Sequence, residues 1–404
     1  MIIIKGTYGE AKVFTDNVEP EAIEDIKRIL NSPVAINSNM RIMPDVHKGA
    51  SFPIGTTMKI TDKVIPNGVS LDIGCGMLVQ KLDVKNVDFE KLDKIIHKYV
   101  PSGFNVNHKP HRFTTQINLT QLKCYPYLKN TDKLVLGLGS LGGGNHFLEL
   151  NRDDEENVYL VIHTGSRNLG KQIAEYYQNE AYKSLSDVGS KKKELIAKLK
   201  AEGRTKDINV ELAKIKPVEV EKALAYCEGK LMEDYLYDMR IAQEYAGLNR
   251  KAIADTIQCG MRWNILEEFE TVHNYIDLDA MILRKGAVSA KKGEILYIPM
   301  NMSWGGVIAI GKGNPDYNES CSHGSGRKMS RKTAKEIVSM DDYKNSMKGI
   351  YSTCINEKTI DESPMAYKDP EEVLENLKDT IEVVKRIVPV YNFKASEEDK
   401  FRKK

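Results

Sequence analysis

Six short segments of this chain set reactive side chains in or beside glycine-rich or strand-like sequence, and together they span residues 45 to 332. If they serve one chemistry, the fold must return the chain to one place six times. The segments are PDVHKGASFPIG with Asp45 and His47, SLDIGCGM with Asp72 and Cys75, and GGGNHFLEL with Asn145, His146 and Glu149. Then come IHTGSRNLG with His163 and Arg167, TVHNYI with His273, and SCSHGSGRKMSRKTAKE with His323, Arg327, Lys328, Arg331 and Lys332. Glycine lets backbone approach a ligand closely and adopt conformations closed to other residues, so catalytic residue types beside it mark candidate sites.

Taken singly, each has a plainer explanation. Asp72 reads as a turn residue, Cys75 as a small core residue, and a lone histidine as a satisfied structural one. Taken together, Asp72, Cys75, His146, His163 and His273 form a mixed oxygen, sulfur and nitrogen donor set suited to one or two transition-metal ions. Ligand type alone leaves Mn²⁺, Zn²⁺, Co²⁺ and Fe²⁺ open. The Gly/Ser loop around His323, followed by cations and a predicted helix, fits phosphate chemistry, because backbone N–H groups and guanidinium or ammonium groups meet phosphate oxygens there.

Periodicity places these segments in a chain of strands and helices. Residues 1 to 82 read as short β-branched strands (IIIKG, AKVF, TTMKI) with one helix around EAIEDIKRIL, and a second helix follows at FEKLDKIIHKYV. LVLGLGSLGGGNHFLEL and VYLVIHTGSRNLG put His146 and His163 at strand ends or in tight loops, and GKQIAEYYQNEAYKSL continues as helix. Residues 186 to 270 read as a charged helical insertion whose Lys/Glu faces are solvated. Strands return after His273 (MILRKGAV, EILYIPMNM, GVIAIGKG), and two C-terminal helices follow the His323 loop.

A chain of 404 residues with 41% hydrophobic and 29% charged residues has material for a sizeable core, as one elaborate domain or two. Six scattered cysteines argue against a disulfide framework. With no apolar run long enough to cross a bilayer and no signal-peptide pattern at the N-terminus, the expected setting is the cytoplasm. The net charge of +2 means that any affinity for a polyanion comes from local patches, with Arg41, Lys48, Arg167, Arg327, Arg331 and Lys332 as candidates.

In order along the chain, MPDVHKG, SLDIGCGM, GSLGGGNHFLE, HTGSRNLG, the HN of VHNYI, SHGSGRKMSR and PMAYKD resemble the motifs of the RtcB-type RNA-splicing ligases. The resemblance implies a single α+β catalytic domain over residues 1–404, with a mixed β-rich core, the 186–270 helical insertion and C-terminal helices. It implies two Mn²⁺ ions on Asp72, Cys75, His146, His163 and His273, and a GMP carried by His323. It also implies nucleotide contacts from Asn145, Phe147, Glu149, Ser303, Arg327, Tyr367 and Lys394. The implied activity is GTP-dependent joining of RNA 3′-phosphate or 2′,3′-cyclic phosphate ends to 5′-hydroxyl ends; monomer is the default expectation, and the lack of a long apolar run argues against a membrane. Two other readings share parts of this pattern. A binuclear metal-dependent phosphoesterase acting on RNA ends would use the metal set without His323. A non-catalytic metal- or RNA-binding scaffold would leave the His323 loop without a task.

Overall fold

The structure is a computed structural model that describes residues 1–49, 51–214 and 220–394. Its central feature is a seven-stranded sheet in the order Ile265–Val272, Gly76–Leu82, Val158–Thr164, Phe147–Arg152, Ile381–Lys394, Gly305–Gly311 and Ile295–Asn301, antiparallel at every pairing. Val158–Thr164 is buried at every position, which explains why its sequence is a near-continuous apolar run without polar alternation. The register brings functional residues to one end of the sheet. Met77 and Phe147 both lie opposite His163, Gly76 lies opposite Val272, and Lys394 lies opposite Phe147.

A six-stranded sheet runs Ile2–Lys5, Glu10–Val13, Met40–His47, Ile54–Lys59, Ile282–Lys285 and Asn274–Asp277. One residue, His273, separates the outer strand Ile265–Val272 of the first sheet from Asn274–Asp277 of the second. The short strand Ser320–Ser322, which precedes His323, pairs with Ala287–Ser289, and the Ala287 N–H donates to the His273 carbonyl at 3.3 Å. Two histidines 50 positions apart in sequence are thereby laced to the same seam.

The α+β architecture expected from sequence is the one observed. Its early helices are Pro20–Leu30 and Phe89–Tyr99, and Arg167–Ser186 follows the strand that carries His163. Two expectations change. The stretch read as helical to residue 270 ends at Met261, and residues 265–272 form an outer strand. Moreover, its last helix, Gly229–Met261, packs into the core: Asp238, Asn249 and Arg250 are buried in it along with Tyr235 and Tyr245. The C-terminal helices are present but short, and a strand follows them among the described residues. Short helices Arg331–Ile337, Met340–Ser346 and Pro370–Glu375 give way to Ile381–Lys394, a 14-residue strand in the middle of the large sheet. Among the described residues, no helix is long and apolar enough to cross a membrane.

Candidate active site

Cys75, His146, His163 and His273 converge from four separate segments into one buried cluster, with Asp72 at its edge. The Cys75 Sγ lies 3.5 Å from His146 Nε2 and 3.3 Å from His163 Nε2. His163 Nε2 lies 3.3 Å from His273 Nε2, and His146 Nε2 lies 2.9 Å from Asp72 Oδ2. The donor atoms fall into two groups, Cys75/His163/His273 and Asp72/Cys75/His146, each with all its atoms within 4.8 Å of one another. Cys75 belongs to both, as a thiolate shared by two cations would.

Outer contacts set the ring faces. His146 Nδ1 is 2.8 Å from the Leu141 carbonyl, and His163 Nδ1 is 3.1 Å from the Asn145 carbonyl. A carbonyl only accepts, so each Nδ1 donates and each Nε2 turns a lone pair inward, as a metal ligand requires. Burial pushes the pKa of His163 and His273 well below the ordinary range, which keeps those lone pairs free of protons. Burial pushes the Cys75 thiol up, with the Asp72 carboxylate adding to it, so a cation entering the cluster must displace the thiol proton. Asp72 Oδ1 and His273 Nδ1 are buried without a hydrogen-bond partner. An orphaned carboxylate oxygen beside converging imidazoles is the pattern of a site whose missing partner is a cation.

The helix Gly229–Met261 holds the cluster from behind. Asn249 Oδ1 accepts from the Gly139 and Ser140 N–H groups at 2.7 and 3.1 Å, while its Nδ2 donates to the Ser140 and Gly165 carbonyls at 3.0 Å each. Arg250 donates to the Gly74 carbonyl at 2.7 Å and the Thr164 carbonyl at 3.0 Å, and it pairs with Glu270. These two side chains tie together the loops that carry Cys75, His146 and His163. Gly165, in the HTGSR motif, leaves room for Asp72: a Cβ there would stand 2.4 Å from the Asp72 Oδ1.

His323 stands next to this cluster, its ring centroid 5.0 Å from that of His273. Its Nδ1 lies 2.8 Å from Oδ2 of the fully buried Asp45, so Nδ1 donates to the carboxylate and Nε2 carries the lone pair. A cavity of about 400 Å³ opens in front of it, lined in part by Asn145, Phe147, Glu149, Arg327, Tyr367 and Lys394. Burial pushes Glu149 up to about 7, against the hydrogen bonds from Asn392 and Asn151. Glu362 anchors the far wall. It accepts from Lys394 Nζ at 2.6 Å, Tyr367 OH at 2.6 Å and Arg331 at 2.8 Å. Burial alone would raise its pKa, but Lys394 and Arg331 hold it below the ordinary carboxylate range.

Most of the residues singled out from sequence therefore meet in one place, but Ser303, Arg41 and Lys328 line neither cavity. Ser303 sits between strands Ile295–Asn301 and Gly305–Gly311 with its hydroxyl on the Asn301 side chain at 3.1 Å, and Asn301 and Met302 line the cavity in its stead. Arg41 is buried against the Asp316 and Met40 carbonyls, away from both the cavity and the cluster. Sequence reasoning gave no role to Asp45 or Glu362. The signal for Asp45 was its place in PDVH; for Glu362 it was an acidic residue just ahead of PMAYKD.

Comparison with known proteins agrees with this constellation. The family model for the tRNA-splicing ligase RtcB matches residues 25–395. The chain belongs to the RtcB family. It is 30% identical to the RNA-splicing ligase RtcB of Escherichia coli K12, over 91% of this chain and 92% of the relative. It is 24% identical to the tRNA-splicing ligase RtcB of Methanococcus maripaludis, over 89% of this chain and 88% of the relative. The RtcB match begins before Asp45 and ends after Lys394, so every residue of the cluster and the cavity lies inside it.

Proposed function

We propose that this protein is an RNA ligase that uses GTP and two Mn²⁺ ions to join RNA 3′-phosphate or 2′,3′-cyclic phosphate ends to 5′-hydroxyl ends, in tRNA splicing or RNA repair. One catalytic domain, residues 1–404, would carry the whole reaction. The observation that carries this reading is the Asp45–His323 pair, which turns a bare imidazole nitrogen toward the cavity beside the Cys/His cluster. A phosphoesterase could use the same pair as a general acid, so the covalent GMP adduct is what separates the two readings. Names of the relatives support RNA as the substrate.

Asp72, Cys75, His146, His163 and His273 would hold the metal ions. Bound there, divalent cations neutralise phosphate charge and stabilise the charge that develops in the transition state. The chain's own residues do the rest. The His323 Nε2 lone pair attacks the α-phosphorus of GTP and pyrophosphate leaves with the electrons of the broken P–O bond. Asp45 accepts the Nδ1–H hydrogen bond throughout, so the imidazolium character that grows on the ring faces a carboxylate. Asn145, Phe147, Glu149, Arg327, Tyr367 and Lys394 would position the nucleotide, with Tyr367 and Lys394 on the guanine base. An oxygen of the RNA 3′-phosphate then takes the GMP from Nε2, which regains its lone pair. Attack by the 5′-hydroxyl on the 3′-phosphorus forms the phosphodiester, releases GMP and gives up one proton. A 2′,3′-cyclic phosphate must first be opened by water to a 3′-phosphate.

Intact mass spectrometry after incubation with GTP and Mn²⁺ tests this. The expected result is a GMP adduct that maps to His323, is acid-labile and is absent from His323→Ala. An adduct that survives in His323→Ala, or no adduct beside steady release of phosphate from RNA ends, overturns it in favour of a hydrolase.

A further inference from the structure

Beside the nucleotide cavity lies a larger one of about 1170 Å³, which shares Asn145, Arg331, Glu362 and Lys394 with it. Lys133, Lys171, Lys332, Lys335 and Lys358 line it alongside the acidic Glu357 and Asp361, and Phe104 stands at 85% exposure among its lining residues. Single exposed apolar residues are ordinary on protein surfaces. Phe104 differs in what holds it. The Gly103 N–H donates to the Gly142 carbonyl at 3.0 Å, and the Leu141 N–H donates to the Pro101 carbonyl at 2.8 Å. Arg167 Nη2 donates to the Gly103 carbonyl at 2.8 Å. Gly142 has φ +88°, and a Cβ on it would meet Arg167 Nη1 at 1.8 Å, so that glycine is what lets the guanidinium reach the Phe104 loop. The loop is thus braced against the glycine segment that carries Asn145 and His146, and its aromatic ring is left outside.

We propose that Phe104 is a stacking platform for a base of the single-stranded RNA end, seated in the lysine-lined cavity as its terminal phosphate reaches His323. This rests on the RNA-ligase reading given above. The cavity supplies the two features that hold single strands: cations that track the backbone, and an aromatic face on which any base can stack. Its continuity with the nucleotide cavity through Asn145 and Lys394 sets the polarity of the strand, terminal phosphate inward and preceding nucleotides outward past Phe104. The backbone that carries the ring is already ordered, so covering the ring with a base costs only the freedom of its own side chain.

The test is the affinity of the full-length protein for a short RNA with a 3′-phosphate and 2-aminopurine at an internal position near that end, followed by fluorescence without turnover. Wild-type protein should quench the base. Phe104→Ala should bind about tenfold more weakly and leave the base unquenched, in line with the worth of one base–aromatic stack. Phe104→Trp should keep the affinity, while Phe104→Leu should behave as alanine does, which separates stacking from simple apolar contact. The salt dependence of binding should keep its slope in all three variants, because no phosphate contact is removed. Melting temperatures confirm that each variant is folded. Equal affinity and equal quenching in Phe104→Ala overturn the inference, as does full rescue by leucine. Failure of the wild-type protein to form the His323 adduct would overturn the ligase reading, and the binding measurement would still decide the role of Phe104.

Discussion

Asp45 decides which nitrogen of His323 meets the cavity, and it does so from a fully buried position with its second oxygen unpartnered. Removing it should free the imidazole to rotate and to change tautomer. Asp45→Ala is expected to slow adduct formation by roughly two orders of magnitude, the usual scale for a positioned proton partner, while bound metal per chain stays at the wild-type level. Rapid-quench measurement of the adduct with parallel metal analysis checks both halves. A second residue offers a stability test away from the chemistry. Lys285 is 4% exposed, its ammonium has only a 3.5 Å contact with the Asn67 carbonyl, and burial lowers its pKa to about 8. A lysine depressed from its unfolded value of 10.5 costs stability as pH falls from 10.5 through 8, and the whole cost is present at pH 7. Lys285→Met should therefore stabilise the protein at pH 7, by on the order of 3 kcal/mol, and the gain should shrink as pH approaches 10. Chemical denaturation of both proteins at pH 7 and pH 9.5 reads it; an equal gain at both would contradict the assignment. At this scale the sequence was legible where chemistry is carried by unusual residue types. His146, His163, His273 and Cys75 announce themselves through their neighbours, whereas the role of Asp45 depends on a partner 278 positions away. Arg41 misled because a cation near PDVH looks like a phosphate contact, and only burial shows it spent on backbone carbonyls.

Among the elements, the helix Gly229–Met261 was the least legible. Its Lys and Glu content suggested a solvated insertion, yet the polar residues that matter, Asp238, Asn249 and Arg250, face inward. Composition averages over all faces of a helix, and three buried polar residues in 33 do not disturb the average. Asn249→Ala tests their function. It would leave two N–H and two carbonyl groups of the ligand-bearing loops without their partner, a loss of roughly 2–4 kcal/mol, and bound metal should fall because the loops that carry His146 and His163 lose their tie. Thermal melting and metal analysis check the two effects, and a stable variant with full metal content would show the staple to be idle. The strand Ile381–Lys394 was missed for a different reason. Its alternation is broken by a register shift between Pro389 and Tyr391, and Lys385 and Arg386 interrupt the apolar pattern. Irregular pairing hides a strand from any reading based on a period of two.

For the whole molecule, a net charge of +2 predicts weak general attraction to polyanions, so salt should act through the few lysines of the larger cavity. Plotting log affinity for single-stranded RNA against log salt should give a slope near −3, about −0.7 for each of four contacts, and Lys332→Ala should reduce it by about one contact. An unchanged slope would remove Lys332 from the RNA path. Most strands and helices were legible from hydrophobic periods, with the family resemblance adding the α+β class, but the meeting of segments from residue 45 to residue 394 was not, because each pair of neighbours in the site is separated by a different stretch of chain. Sheet order supplies that information, and it has a consequence for how the protein is made. Residues 381–394 slot between Phe147–Arg152 and Gly305–Gly311, and their last member, Lys394, lines the cavity that holds His323. During synthesis the halves of the sheet emerge from the ribosome well before the strand that joins them. A nascent chain thus has no finished cavity in front of His323 until residue 394 has cleared the exit tunnel.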